Sequence, residues 1–330
     1  MILAGDIGGT NTRLALFTQK LELLYERTTK NLNRPNLTDI IGEFFATTEL
    51  DEKEIDRGCF GVAGPVSGGR VKTTNLPWEL DETELALNLG ISKIALVNDL
   101  VAHAEGIEVL LPEHFQTIAA GTPDPRGNRA VIAAGTGLGE AGLVWDPDIS
   151  GYRAFPSEGG HADFSPRTEQ EFALAKFIQK KFNGNATWER VLSGPGLRTI
   201  YDFLSSAPSR GQSASAAPGR SLQDPKPEQI AAAAMSNTDP VASAALDLFI
   251  HLYASEAGNL ALKLLATGGV YLSGGIATNL LDKLKSDAFL DSFRNKGPDK
   301  LAALMNHIPI HVVTLETCAI YGAANYARRL

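Results

Sequence analysis

Short apolar, β-branched runs that end in small or polar residues recur along the chain: Ile2 to Asp6, Gly58 to Gly64, Ile94 to Asp99, Ala130 to Gly135 and Val270 to Gly275. Such runs predict buried strands whose carboxyl ends open into turns. Between them lie amphipathic stretches that predict helices: Leu37 to Thr47, Asp81 to Leu89, Leu100 to Leu110, Glu169 to Phe182, Pro195 to Leu204, Pro240 to Thr267 and Cys318 to Arg329. The long helix has clear punctuation, with Asp239-Pro240 at its start and Gly268-Gly269 as its stop. Alternating strands and helices predict an α/β fold. Two segments share a further pattern of strand, glycine/threonine turn and second strand, one around Asp6 to Phe17 and one around Ala134 to Trp145. They suggest two domains with related first hairpins facing one ligand, with chance likeness of two hairpins as the alternative.

Length fits that reading: at roughly 150 residues per domain, a 330-residue chain predicts two domains. The pattern restarts after Thr122 to Arg129, so the boundary is expected near residue 110. Ser205 to Gln229 is rich in Ser, Ala, Pro, Gly and Gln without periodicity, and is expected to be a surface excursion. Thirty basic against 38 acidic residues give a net charge of -8, which argues against nucleic acid and anionic membrane as partners. It does not argue against phosphorylated substrates, because backbone amides and one metal ion can hold a phosphate. No basic segment precedes the first apolar run, and no run reaches the ~18 apolar residues of a membrane span. Cys59 and Cys318 are isolated, which makes neither a zinc set nor a disulfide framework and fits a reduced, cytoplasmic setting.

Glycine makes up about a tenth of the chain, 32 residues against a usual share of roughly 7%, and its clusters carry the candidate chemistry. Gly8-Gly9-Thr10 lets backbone N–H groups approach an anion and adds a hydroxyl donor. Asp6 just before it can hold Mg²⁺ directly or through water, or can serve only as a turn residue. Gly137-Leu-Gly139-Glu-Ala-Gly142 matches G-x-G-x-x-G, but strand-like Leu143-Val-Trp145 follows where a dinucleotide fold requires a helix. No P-loop sequence is present. Asn98-Asp99 ends a strand and opens a helix, so Asp99 either caps that helix or stands where a base meets a substrate hydroxyl. Glu158-Gly-Gly-His161 places two polar side chains on a glycine loop, which suits hydroxyl recognition or a plain surface loop. Trp188-Glu189 is expected to begin another helical stretch.

Eight segments in this order resemble the bacterial glucokinases of the hexokinase-like superfamily, which also includes actin and the heat-shock chaperone ATPases. They are Gly5-Asp-Ile-Gly-Gly-Thr-Asn-Thr-Arg-Leu-Ala-Leu16, Gly61-Val-Ala-Gly-Pro-Val66, Thr74-Asn-Leu-Pro-Trp78, Val97-Asn-Asp99, Gly135-Thr-Gly-Leu-Gly139, Glu158-Gly-Gly-His161, Glu189-Arg-Val-Leu-Ser-Gly-Pro-Gly-Leu197 and Leu272-Ser-Gly-Gly-Ile276. The resemblance covers nearly the whole chain. It implies two hexokinase/actin-like (ribonuclease H-like) α/β domains flanking a deep cleft: residues 1–109 with 309–330 as a small domain closed by the C-terminal helix, and 110–308 as a large domain. It also implies glucose and ATP as substrates, Mg²⁺ as cofactor and a homodimer.

On the same resemblance Asn75, Asn98, Asp99, Glu158, His161 and Glu189 bind the sugar, with Asp99 as catalytic base. Gly5, Asp6, Ile7, Gly8, Gly9, Thr10, Asn11, Gly135, Thr136, Gly137, Gly274 and Gly275 surround the nucleotide, with Asp6 at the metal. The cysteine cluster of a zinc-binding sister group with repressor members is missing here. The rival readings are a kinase for another hexose or with another phosphoryl donor, a sugar-sensing regulator without turnover, and an actin-like or chaperone ATPase. Glu158-x-x-His161 and the short chain disfavour the last.

Overall fold

The computed structural model describes residues 1–48, 50–73, 76–206 and 222–330. In chain order the main elements are β1 (Ile2–Ile7), β2 (Asn11–Phe17), β3 (Leu23–Lys30), α1 (Leu37–Phe45), β4 (Arg57–Val62), β5 (Arg70–Lys72), β6 (Glu79–Asp81), α2 (Glu82–Leu89), β7 (Lys93–Asn98) and α3 (Asp99–Ile107). There follow β8 (Phe115–Ala119), β9 (Arg129–Ala134), β10 (Leu138–Asp146), β11 (Gly151–Ser157), α4 (Glu169–Phe182), α5 (Gly194–Ser206), α6 (Pro227–Met235) and α7 (Pro240–Leu264). The chain ends with β12 (Gly269–Ser273), α8 (Gly274–Asn279), α9 (Leu281–Leu284), α10 (Asp287–Arg294), α11 (Asp299–His307), β13 (Ile310–Val313) and α12 (Cys318–Arg328). It forms two compact units: Met1–Phe115 with Ala141–Pro156 and Leu315–Leu330, and Gln116–Glu140 with Ser157–Thr314.

The fold is α/β with mixed sheets. The first sheet has the order β3-β2-β1-β4-β7. Its first three strands are antiparallel neighbours, and β1, β4 and β7 run parallel. Alternation along each strand divides its side chains between two cores. Leu3, Ile7, Leu14, Leu16, Phe60, Val62 and Leu96 face one core with Leu37, Ile40, Ile41 and Phe44 of α1. Ile2, Ala4, Ala15, Phe17, Cys59, Ala95 and Val97 face the other, with α3 and the alanine-rich face of α12. Helices on both faces explain why β1, β4 and β7 read as continuous apolar runs.

The second sheet has the order β11-β10-β9-β12-β13-β8. Its first five strands repeat the order of the first sheet: a three-strand meander, then two crossover strands. The turns Gly8-Gly9-Thr10 and Gly135-Thr136-Gly137 therefore occupy the same topological place, between β1 and β2 in one sheet and between β9 and β10 in the other. The core of the second unit forms around α7, whose Ala242, Leu246, Phe249, Tyr253, Ala257 and Ala261 are buried with Ile132 of β9 and Leu272 of β12. Asp239 caps α7 by accepting from the N–H groups of Val241 and Ala242, at 2.8 and 3.1 Å.

Several elements depart from the sequence reading. The long helix ends at Leu264 instead of Thr267, because Leu265 turns left-handed (φ 48°) and Asn128 donates to the Leu264 carbonyl at 2.8 Å. The excursion expected from Ser205 to Gln229 does not hold at its two ends. Helix α5 runs to Ser206 and α6 starts at Pro227, which suits a first helical position. Residues 207–221 of that stretch lie outside the described residues, as does Asn75. Glu189 opens no helix, because Val191 and Leu192 close tight turns onto the Trp188 carbonyl and α5 begins only at Gly194. No helix among the described residues is long and apolar enough to cross a membrane.

Candidate active site

In the first unit, Asp6 stands near the carboxyl end of β1, paired with Arg13 on β2 and with Gly61 on β4. Burial raises its carboxyl above the usual range, and the Arg13 guanidinium partly offsets this. Beyond it the chain turns through Gly8 and Gly9, with the Gly8 N–H donating to the Asn11 carbonyl at 3.0 Å. Thr10 and Asn11 are exposed, while the Ile7 side chain is in the core and only its backbone can meet a ligand. Gly5 has a packing reason of its own: a Cβ there would lie 2.3 Å from the Phe60 ring.

The carboxyl end of β7 supplies the polar pair. Asn98 is the N-cap of α3, with Oδ1 accepting from the Leu100 N–H at 2.9 Å and Nδ2 donating to the Gly64 carbonyl at 3.2 Å. Asp99 Oδ1 also accepts from the Leu100 N–H, at 2.9 Å, so its half-buried carboxylate is oriented from its own helix. Asn98 and Asp99 thus share the Leu100 N–H at the start of α3, with Asn98 as the N-cap residue. Gly61 lets this helix start come close, since a Cβ there would lie 2.7 Å from that of Ala102.

In the second unit three segments lock together. The Gly135–Gly137 turn is closed by the Gly135 N–H on the Gly137 carbonyl, at 2.8 Å. Glu189 reaches it from 51 residues away and accepts from the Leu138 N–H at 3.1 Å. A Cβ on Gly137 would lie 2.5 Å from that carboxylate oxygen. The Glu189 N–H donates to the Gly160 carbonyl at 2.8 Å, and the Trp188 N–H to the Ala162 carbonyl at 3.0 Å. Both Glu158 and His161 are exposed, with Oε2 and Nε2 3.9 Å apart. Their loop can pack this closely only because it carries glycines. A Cβ on Gly159 would lie 1.8 Å from Glu140 Oε2, and one on Gly160 2.0 Å from the Leu138 carbonyl oxygen. Glu158, His161, Glu189 and the second glycine turn are thus one connected scaffold. Gly274 and Gly275 open α8 after β12, and Gly274 (φ 83°) sits so near β9 that a Cβ would lie 2.5 Å from the Ala134 carbonyl oxygen.

These segments are those of a known group, for the family model described as Glucokinase matches residues 3–330. The chain belongs to the glucokinase family. A glucokinase of Nostoc sp. is 38% identical over 346 residues, covering 100% of this chain and 99% of that one. One from Mesorhizobium japonicum is 36% identical over 329 residues, covering 99% of this chain and 91% of the relative. The crystal structure of glucokinase from an Antarctic psychrotroph superposes with a TM-score of 0.83 at 29% identity, covering 100% of this chain and 99% of that one.

Against this family background, the described residues offer no cluster of three or more carboxylate, imidazole or thiolate groups suited to a metal. The donor set at Asp6, one desolvated carboxylate beside a glycine turn, fits magnesium. That ion keeps several waters and binds through one or two carboxylates plus substrate phosphates. Sequence reasoning missed Glu140 against the Glu158–His161 loop, the Gly64 carbonyl that holds Asn98, and Asn31 behind the first turn. Glu140 and Gly64 lie inside the quoted segments Gly137–Gly142 and Gly61–Val66 and Asn31 in none, but in no case does the local sequence name the distant partner.

Proposed function

We infer that this chain transfers the γ-phosphoryl group of ATP to the 6-hydroxyl of glucose, giving glucose 6-phosphate and ADP. The observation that carries the reading is the scaffold of the second unit, where a glycine turn suited to phosphate and two acceptor side chains suited to hydroxyls share Glu189. A sugar is a ring of hydroxyls, and a site with fixed donors and acceptors rejects a wrong epimer by leaving its own groups unpaired. Glu158 and Glu189 accept, whereas Asn98 and His161 can both donate and accept; Asn75 is proposed as a further sugar contact.

In the proposed reaction O6 attacks the γ-phosphorus as Asp99 takes its proton. The bond from that phosphorus to the bridging oxygen breaks, ADP leaves, and Asp99 releases the proton to water. Leucine 100 orients the base through its N–H. Backbone amides of the two turns, other than those of Gly8 and Gly135 that close the turns themselves, stabilise the phosphates, and Gly274-Gly275 borders the adenosine. Asp6, directly or through water, would hold magnesium, which neutralises phosphate charge when bound. The proposed division of labour assigns Asp99 and the metal ligand to a small lobe, 1–109 with 309–330. The proposed sugar contacts are divided, with Asn75 and Asn98 in the small lobe and Glu158, His161 and Glu189 in a large lobe, 110–308. A cytoplasmic homodimer belongs to the same proposal.

A coupled assay with Mg-ATP and a hexose panel tests this, with hexose 6-phosphate expected fastest from glucose. Faster turnover of another hexose, or of ADP or polyphosphate as donor, would reassign the substrates. Absence of ADP release with every sugar would favour a sugar sensor.

A further inference from the structure

Strand β3 has the burial pattern of a polar edge, with Leu23 and Leu24 exposed, yet the residue that follows it is nearly sealed. Asn31 is 3% exposed. Each of its polar groups is engaged. Its backbone N–H donates to the Thr10 carbonyl at 2.9 Å, and its own carbonyl accepts from the Arg34 N–H at 3.1 Å. Side-chain Nδ2 donates to the Gly8 carbonyl at 2.7 Å, and Oδ1 accepts from the hydroxyl of buried Thr12 at 2.8 Å. The Gly8 oxygen can only accept, so it settles which end of the amide faces it.

The consequence concerns the turn between β1 and β2. A turn that cradles an anion must show its N–H groups and turn its carbonyls away, because a carbonyl dipole facing a phosphate repels it. Asn31 holds the carbonyls of Gly8 and Thr10 from behind, and the Gly8 N–H occupies that of Asn11. Glycine residues alone would leave these peptide planes free to rotate.

We propose that Asn31, braced by Thr12, is a positioning residue for phosphoryl transfer, fixing the peptide planes of the Gly8–Thr10 turn so that the turn's N–H groups and the Thr10 hydroxyl stay aimed at the nucleotide phosphates. This rests on the reading of that turn as a phosphate cradle. Asn31→Asp is the sharpest variant. It keeps the shape and the acceptor for Thr12, loses the donor to Gly8 and adds a negative charge behind the turn.

The test is steady-state kinetics in ATP and in glucose, with glucose affinity by calorimetry and circular dichroism as a check of folding. Asn31→Asp and Asn31→Ala are expected to lower kcat/KM for ATP about tenfold or more, the effect of a lost buried hydrogen bond. Glucose affinity should stay within about twofold, since a selective loss is what distinguishes positioning from general damage. Thr12→Val should follow the same pattern, and Thr12→Ser, which keeps the hydroxyl, should recover most of the loss. If the Asn31 variants do not fold, the Thr12 pair carries the test. An unchanged kcat/KM for ATP in Asn31→Asp, equal losses toward ATP and glucose, or equal behaviour of Thr12→Val and Thr12→Ser would each overturn the proposal. Thr10→Val and Asp6→Ala separate its failure from that of the cradle reading. Normal ATP use in both would remove the cradle itself. Impaired ATP use in both with a normal Asn31→Asp would remove only the role of Asn31.

Discussion

At the residue scale, the proposed roles divide by chemistry. Asp99→Asn keeps a hydrogen-bonding side chain at the start of α3 but cannot take a proton. It is expected to retain glucose binding and lose at least ~10²-fold in kcat, the low end for a general base; near-normal turnover would remove Asp99 from that role. Glu158→Gln should mainly weaken sugar binding, and an unchanged glucose Kd by calorimetry would contradict its assignment. Glu140 offers a different readout. It is 1% exposed, and its Oε1 has no hydrogen-bond partner among the described residues. Burial raises its carboxyl to about 7; nearby Glu256 adds to this and Lys263 opposes it. Because the folded state favours the protonated form, the associated stability is fully present below the ordinary carboxylate range and is lost as pH rises through about 7. Thermal unfolding of Glu140→Gln should show a flatter pH dependence than the wild type across neutral pH, and superimposable profiles would refute the assignment. Asp6, Asp99, Glu158 and Glu189 were legible as candidates because each sits in a motif of glycine or strand-end polar residues. Asn31 was not, lying in no motif, and Glu140, though inside the Gly137–Gly142 glycine segment, was not read as a candidate because its contact at Gly159 is distant in sequence.

At the element scale, legibility tracked burial. Strands β1, β4, β7, β9 and β12 were readable because both their faces are covered, which writes them as apolar runs. β3 was not, being a polar strand whose register comes from pairing with β2. The short helices α8 to α11 also escaped: α8 and α9 span only six and four residues, and α10, though Phe289 and Phe293 share its buried face, spans only eight. Close approach of α12 to α3 is likewise a tertiary matter. A Cβ on Gly322 would lie 1.7 Å from the Ala102 carbonyl oxygen, and one on Gly106 2.2 Å from that of Cys318. Both clashes are with backbone, so Gly322→Ala should destabilise the protein by about 1–3 kcal/mol, as overpacking does. Urea unfolding would measure it, and an unchanged midpoint would mean that the helices separate without cost.

At the scale of the whole molecule, the last segment completes the first unit. Ile320, Ala323, Ala324 and Ala327 cover Ile2, Ala4, Cys59 and Val97. Buried Glu105 of α3 accepts from Asn325 Nδ2 at 3.1 Å and pairs with Arg329 at 2.5 Å. Deleting residues 315–330 should therefore abolish cooperative unfolding of that unit, seen as a lost or broadened transition in far-ultraviolet circular dichroism. A sharp transition at the wild-type midpoint would show that β1, β4 and β7 hold without that cover. The sequence by itself determined the α/β class, the strands buried on both faces, the two glycine turns and the order of the family motifs. Each is written in local pattern, through periodicity, turn chemistry and the absence of a side chain. Only the tertiary structure decided that Glu189 grips the second glycine turn, that Asn31 holds the first from behind, and that Gly322 and Gly106 let the final helix close on α3. Those pairings join residues far apart in the chain, and their energy comes from shared burial and geometry that no local window contains.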